Sequence, residues 1–439
     1  MRRGNEKMAS LWTQTCDLPA FEQLRQDVKT KVLIIGGGMA GLLCAYRLAQ
    51  AGVDCLLVEA DRIARGVTAG TTAKLTAQHG LTYQTLLRRF GVERAHLYYE
   101  TNEAALRQYR LLAERFPCDW VEADHYVYTL GAPRRLEREL EALDVIGARA
   151  EYVRRVALPF PVSGAIRFPQ QAHFHPLKLV AGLSHGLNIF EKTPVRSFDG
   201  ARYHTDHATI TAEKVIVATH FPIWNKHGLY PLKLYQSRSY VLALQGAPVP
   251  DGMYLDEAED GLSFRPQGEY LLLGGGAHRT GKKSDGWAGL EAFAARYYPE
   301  AKIRFRWAAQ DCMPLDDVPY IGRYAPSTPN LFVATGFHKW GMTGSMVAAM
   351  LLCDLVQGKE NRAAALYAPD RSILRPQLFS NAAHAIGSLL TPTKPRCPHM
   401  GCALKWNRQE HSWDCPCHGS RFAQDGKLLN DPATGDLRR

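Results

Sequence analysis

The sequence predicts a Rossmann-like α/β body followed by a small all-β module, on three observations. Residues 31–59, KVLIIGGGMAGLLCAYRLAQAGVDCLLVE, run from an apolar strand through a glycine-rich turn into a helix and a second strand. Two later segments, 212–222 (AEKVIVATHFP) and 330–351 (NLFVATGFHKWGMTGSMVAAML), each couple a buried-type strand to a turn of small residues. Four of the ten cysteines crowd into residues 397–417 with histidines between them, on segments that read as β-hairpins.

The first element is a nucleotide-binding pattern. Val32–Ile35 leads into Gly36-x-Gly38-x-x-Gly41, and a helix with apolar residues at helical spacing follows. The glycines permit a tight turn, close approach of a pyrophosphate to the backbone, and tight helix–strand packing; the helix N-terminus offers free N–H groups. Glu59 ends the second strand eighteen residues past Gly41, placed to accept hydrogen bonds from a ribose. A glycine-rich packing turn is the plain alternative, and the strand–turn–helix–strand context with the acid in register weighs against it.

The later strand–turn segments suit a flavin, which must be held at several points. Ala218–Thr219 forms the turn of one, and a helix starting near Thr343 follows the other. A helix start aimed at the flavin pyrimidine edge would stabilise the negative charge of reduced flavin. LLLGGGAHRTG (271–281) imitates a second fingerprint, but Arg279 holds the third glycine position. A separate nicotinamide domain is therefore not expected.

With these motifs, GTTAKLTAQHG (70–80) and DDVPYIGR (316–323), the first 360 or so residues resemble the FAD-dependent family of D-amino-acid, glycine and sarcosine oxidases. The resemblance implies FAD-binding segments 1–85, 176–225 and 306–360, interleaved with an α+β substrate domain from 86–175 and 226–305. It places Gly36, Gly38, Gly41 and Glu59 on the ADP half, and Thr71, Thr72 and Lys74 near the pyrophosphate or ring. Val195 would lie near the adenine, Ala218 in a cofactor-facing turn, and Gly341, Met342 and Thr343 at the pyrimidine edge. It implies oxidation of a small amine or amino-acid-like molecule by hydride transfer to FAD, with the protein orienting the substrate. Those oxidases hold a carboxylate with arginine and tyrosine, so Arg238, Tyr240 and Arg265 are candidate substrate-positioning residues, against the commoner reading of sheet arginines. His175 and His338 could face the flavin or be loop residues. Cys312 does not match the position at which some relatives tether flavin, so FAD is expected to be non-covalent.

The tail follows a linker, 361–390, that is part helix-like and part proline-punctuated. ALKW and HSWDC flank the polar turn Asn407–Glu410, and SRF and KLLN flank Asp425-Gly426, giving two hairpins with the Cys/His residues on loops at one end. The ligand-type residues are spaced Cys397-x-His399 and Cys415-x-x-His418. Zinc is the plain reading, but structural zinc sites usually use Cys-x₂₋₄-Cys knuckles and four ligands leave two cysteines over. The loops resemble those of Rieske [2Fe–2S] proteins, in which two cysteines hold one iron and two histidines the other. That resemblance covers residues 391–439, makes Cys397, His399, Cys415 and His418 the ligands, and implies a disulfide between Cys402 and Cys417. Two departures stand out. Too few residues precede the first loop to supply the usual strands, so the module is expected to lean on the body for shielding. Phe422 stands where high-potential relatives carry a tyrosine that hydrogen-bonds a ligand sulfur, so a lower potential is expected; Ser420 keeps its hydroxyl.

Composition narrows the rest. At 439 residues, 46% hydrophobic and 22% charged, the chain is of ordinary globular make-up and long enough for two or three domains. No run of eighteen apolar residues occurs, and Asp354 breaks the greasiest stretch, MVAAMLLCDLV. The N-terminal Arg2-Arg3 pair lacks an apolar segment after it, so a cytoplasmic location is expected, with Met1 or Met8 as the start. The net charge of +10 is scattered among acids, which excludes a nucleic-acid stripe and suits anionic cofactors or an acidic electron partner. The expected activity is a dehydrogenase passing electrons from FAD through the cluster to an external acceptor or carrier protein. The alternatives are a component feeding electrons to a partner enzyme, and a redox-sensing cluster protein. No 2-His-1-carboxylate pattern supports an oxygenase.

Overall fold

The computed structural model describes residues 8–392 and 395–437; Met1 and the Arg2-Arg3 pair lie outside the described residues. Val28–Ile35 lies at the middle of a sheet that has eight strands among the described residues. Thr209–Val217 and Cys55–Val58 flank it in parallel, with Leu331–Thr335 and Ile189–Phe190 parallel beyond them. The apolar runs suit strands covered on both faces. Val32 and Ile34 enter the core that also holds the helices Met39–Gln50 and Gly341–Val356, whereas Leu33 and Ile35 enter the core on the other face. The second fingerprint-like segment is a strand, Tyr270–Arg279, inside a nine-stranded sheet, so it makes no nucleotide turn.

That larger sheet runs Lys302–Pro314, Leu234–Gln245, Tyr270–Arg279, Ser263–Gln267, Met253–Asp256, Val121–Thr129, Gly164–His173 and Lys74–Leu75, with Glu151–Val153 also paired to Gly164–His173. Two details differ from the expected segmentation. Lys302–Pro314 pairs with Leu234–Gln245 along its length and so crosses the boundary at 305, and Lys74–Leu75 joins this sheet rather than the nucleotide-binding one.

The tail forms a four-stranded antiparallel sheet, Lys405–Asn407, Ser412–Asp414, Arg421–Ala423 and Leu428–Asn430, paired in sequence order. Before it, the helix Pro376–Leu390 is patterned inside out. Asn381 and Ser388 are buried, whereas Phe379, Ile386 and Leu390 are exposed. Its polar side is occupied: Asn381 Oδ1 accepts from Arg279 (2.8 Å), and Ser388 donates to the Ala403 carbonyl (3.2 Å). No helix among the described residues is long and apolar enough to cross a membrane.

Candidate flavin and iron–sulfur sites

Two glycines of the nucleotide turn leave no room for a side chain. Gly36 sits at φ +110°, and a Cβ there would lie 2.5 Å from the Ala218 carbonyl oxygen; one on Gly41 would lie 1.9 Å from that of Gly36. Gly38 differs. A Cβ there would meet only Thr68 Oγ1, at 3.5 Å, so the space in front of it is left for a ligand rather than filled by the fold. Gly38 caps the helix Met39–Gln50, whose N-terminus suits a pyrophosphate. Glu59 Oε2 accepts from the Gly37 N–H (2.7 Å) and Oε1 from Asp61 N–H (3.0 Å), which holds the carboxylate beside the turn. Burial raises its pKa and these backbone donors lower it, with burial prevailing. Ala218 N–H donates to the Ile35 carbonyl (2.8 Å), so the second small-residue turn abuts the first.

The remaining flavin candidates are more dispersed. Thr71 and Thr72 follow the short helix Val67–Gly70, and the Thr71 carbonyl accepts from Trp12 Nε1 (2.7 Å). Val195 is half-buried beyond Ile189–Phe190, at the edge of the core under the sheet. The helix Gly341–Val356 begins two residues before the expected Thr343; Thr343 Oγ1 donates to the Thr76 carbonyl (3.2 Å), and the Met342 carbonyl accepts from Tyr109 (2.8 Å). His175 caps the helix Pro176–Ser184 by accepting from Lys178 N–H, a structural role. His338 sits in a loop at φ +50° and faces Asp317. Cys312 Sγ lies 3.8 Å from His220 Nδ1.

Lys74 and Arg265 meet inside the larger sheet. Lys74 Nζ donates to the Tyr254 carbonyl (2.8 Å) and Ser263 Oγ (2.7 Å), and burial with the nearby Arg265 lowers its pKa to about 7. Arg265 is fully buried; Nη2 donates to the Phe174 carbonyl (2.7 Å), and its guanidinium lies 5.1 Å from the Trp12 ring. Its Nε and Nη1 are buried without a partner, as is Nε2 of the adjacent His173. A buried cation with idle donors lacks the anion that would complete it. Arg238 and Tyr240 are elsewhere. Arg238 forms a two-pronged ion pair with Glu410 of the tail, and the Tyr240 hydroxyl donates to the same carboxylate (3.2 Å). These two expected substrate residues are therefore committed to the tail interface.

The tail loops bring Cys397, His399, Cys415 and His418 together. Burial lowers the pKa of His399 to about 4 and of His418 to about 3, which keeps both imidazoles neutral, the form a metal ligand needs. His418 Nε2 lies 3.1 Å from the Pro231 carbonyl, and His399 Nε2 lies 2.8 Å from Asn225 Oδ1. Nδ1 of both rings is buried with no partner. The hydrogen bond from Cys415 lowers the pKa of the Cys397 thiol, and Ser420 also reaches Cys397. Cys402 and Cys417 face each other across the two loops, Cα–Cα 6.8 Å. The sulfurs of Cys402, Cys415 and Cys417 lie within 4.8 Å of one another, with Cys402 and Cys417 paired to each other. Two free thiols and two orphaned nitrogens remain, the donor set of a Rieske cluster rather than of a cysteine-rich zinc knuckle. Phe422 is fully buried among these cysteines.

The comparisons with known proteins agree with this geometry. The family model "FAD dependent oxidoreductase" matches residues 31–355, and "Rieske [2Fe-2S] domain" matches 384–439. The protein YhfW of Bacillus subtilis (strain 168), assigned as a Rieske 2Fe-2S iron-sulfur protein, is 34% identical across 99% of this chain and 98% of its own. The chain belongs to the FAD-dependent oxidoreductase family. This oxidoreductase also shares 23% identity with gamma-glutamylputrescine oxidoreductase of Escherichia coli (strain K12), over 78% of this chain and 87% of that one. Glycine oxidase from Geobacillus kaustophilus has the same fold: TM-score 0.67 and 22% identity, over 78% of this chain and 99% of that one. The oxidoreductase uses FAD, which supplies two-electron chemistry, and a [2Fe–2S] cluster, which takes one electron at a time.

Several functional residues carried no signal in the sequence. Gln236 Nε2 donates to the His418 carbonyl (3.0 Å), and Gln310 Nε2 to that of Gly419 (2.9 Å). Arg279 donates to the carbonyls of Pro416 (3.0 Å) and Cys417 (2.9 Å). The arginine that spoils the second fingerprint is thus a clamp on a cluster loop. It was legible only as an exception.

Proposed function

We propose that the protein is a dehydrogenase that oxidises an amine or amino-acid-like small molecule and passes electrons from FAD through the Rieske cluster to an external acceptor. The observation that carries this reading is the docking of the tail. Its Cys/His loops are held against the body by Arg279, Gln236 and Gln310, and Glu410 is locked between Arg238 and Arg421. A module present only for folding would not need its cluster loops turned inward onto the flavin-binding body.

Within this reading, Gly36, Gly38, Gly41 and Glu59 hold the ADP half, with Val195 by the adenine. Thr71, Thr72, Ala218, Gly341, Met342 and Thr343 line the rest of the cofactor. Cys397, His399, Cys415 and His418 hold the cluster, and the Cys402–Cys417 bond ties its two loops. Arg265, with its idle Nε and Nη1 beside Lys74 and His173, receives the substrate carboxylate. The six cysteines of the body stay unpaired, as in a reducing compartment, and we place the enzyme in the cytoplasm. The test is anaerobic addition of an amine and amino-acid panel while visible and EPR spectra are recorded. Flavin bleaching followed by cluster reduction is the expected result. Bleaching only by a reduced carrier protein would reverse the direction of flow, and zinc in place of iron would overturn the reading.

A further inference from the structure

We propose that Asn225, a residue of the flavin-binding body, is a positioning residue for the iron–sulfur cluster, and that with the Pro231 carbonyl it closes the cluster's histidine edge against the body. The electron route of the preceding section rests on this docking, but the proposal needs neither the substrate nor the direction of flow.

The hydrogen-bonding chemistry sets the orientation. A peptide carbonyl can only accept, so His418 Nε2, 3.1 Å from the Pro231 oxygen, must carry the ring hydrogen. Its lone pair is then on Nδ1, the atom left buried without a partner. His399 repeats the arrangement, with Nε2 2.8 Å from Asn225 Oδ1 and Nδ1 orphaned. The nitrogen that an imidazole offers to a metal is set by the hydrogen bond its other nitrogen makes. Here both acceptors come from the body and not from the tail that supplies the ligands.

The surroundings make the arrangement rigid and closed. Asn225 is 4% exposed, and its own carbonyl accepts from Tyr230 N–H (2.9 Å), which fixes it in the turn before Tyr230–Lys233. The two histidine rings lie 5.0 Å apart at 86°, and the fully buried Phe221 stands edge-on to each at 6.3 Å. His418 is only 6% exposed. His399 is partly exposed, so while the tail is docked an external carrier meets this edge only at His399. It must approach over the outer surface of the first loop, where Met400 is 44% exposed.

The experiment uses the full-length holoprotein reduced with dithionite. Asn225→Leu keeps the bulk but removes the acceptor. It is expected to change the histidine nitrogen couplings and principal g values in EPR, and to speed iron loss to a chelator about 10-fold or more. Asn225→Asp keeps an acceptor oxygen and is expected to hold iron within about threefold of wild type on the same scale. In wild type moved to D₂O, the couplings of the histidine Nε2 deuterons should grow in slowly. An Asn225→Leu protein indistinguishable from wild type in spectrum and iron retention would overturn the proposal. If that variant does not load the cluster, the wild-type exchange decides: deuteration complete on mixing would mean an open edge and would equally overturn it. Neither result bears on whether an amine bleaches the flavin, so this proposal and the proposed function fail separately.

Discussion

The nucleotide turn and the cluster loops both present donors to a cofactor, and they are built in opposite ways. The turn is local. Four glycines within six residues, one helix start and Glu59 complete it, and its tolerances at Gly36 and Gly41 are set by backbone against backbone. The cluster loops are not self-sufficient. Their sheet has four short strands, and their carbonyls and histidines are held by Asn225, Pro231, Gln236, Arg279 and Gln310 of the body. A site packed into consecutive residues can be read from a string, whereas a site completed across the fold cannot.

Substitution sharpens that contrast, most severely in the turn. Gly41→Ala puts a Cβ 1.9 Å from the Gly36 carbonyl with no flexible atom to yield. It is expected to cost more than about 4 kcal/mol and to give protein without a flavin spectrum. Gly38→Ala meets nothing closer than 3.5 Å, so it should fold and lose only FAD affinity; equal damage from both would erase the distinction between fold and ligand glycines.

The interface comes next. Glu410 is buried with Arg238 and Arg421, and Glu410→Ala strands Arg238 while Arg421 keeps Asp414, at about 3–5 kcal/mol. Burial raises the Glu410 pKa, but Arg238, Arg421 and Tyr240 outweigh it and hold it below the ordinary 4.5. A depressed acid contributes stability that is fully present above its unfolded pKa and is lost as pH falls through the folded one. Tail docking should therefore be constant at neutral pH and weaken only below about 4.5, an acid step that limited proteolysis would detect and that Glu410→Gln would abolish.

Arg265→Met tests the anion pocket. Losing charged hydrogen bonds worth about 1.5–3 kcal/mol should raise KM for a carboxylate substrate about 10- to 100-fold. Because the guanidinium is buried with idle donors, Tm should hold or rise; a drop in Tm with unchanged KM would make Arg265 a structural residue. The smallest effect belongs to Phe422→Tyr. A new hydroxyl beside the ligand sulfurs should raise the cluster potential by tens of millivolts, about 1 kcal/mol, and a redox titration without a rise would remove Phe422 as a determinant.

These outcomes bear on what the sequence made legible. The parallel sheet, the nucleotide turn, both tail hairpins and the Cys/His character of the tail loops are readable because each depends on periodicity or close spacing. Arg238 and Tyr240 were read as substrate residues because an arginine in a sheet looks alike whichever carboxylate it meets, and Glu410 lies 172 residues from Arg238. Lys74 was placed by its glycine-rich loop, but its strand pairing carries it into the other sheet beside Arg265. Asn225 had no pattern at all, since a single amide becomes meaningful only when a histidine from 174 residues away reaches it.

The buried Nδ1 atoms also give biogenesis an order. Iron and sulfide must reach Nδ1 of His399 and His418 and the thiols of Cys397 and Cys415, all buried once the tail has docked. Whatever machinery delivers the cluster must act on the loops while they are still apart from Asn225 and Pro231. Closure of the tail is then the last event of maturation, the step at which Asn225 and the Pro231 carbonyl fix the two imidazoles around the cluster.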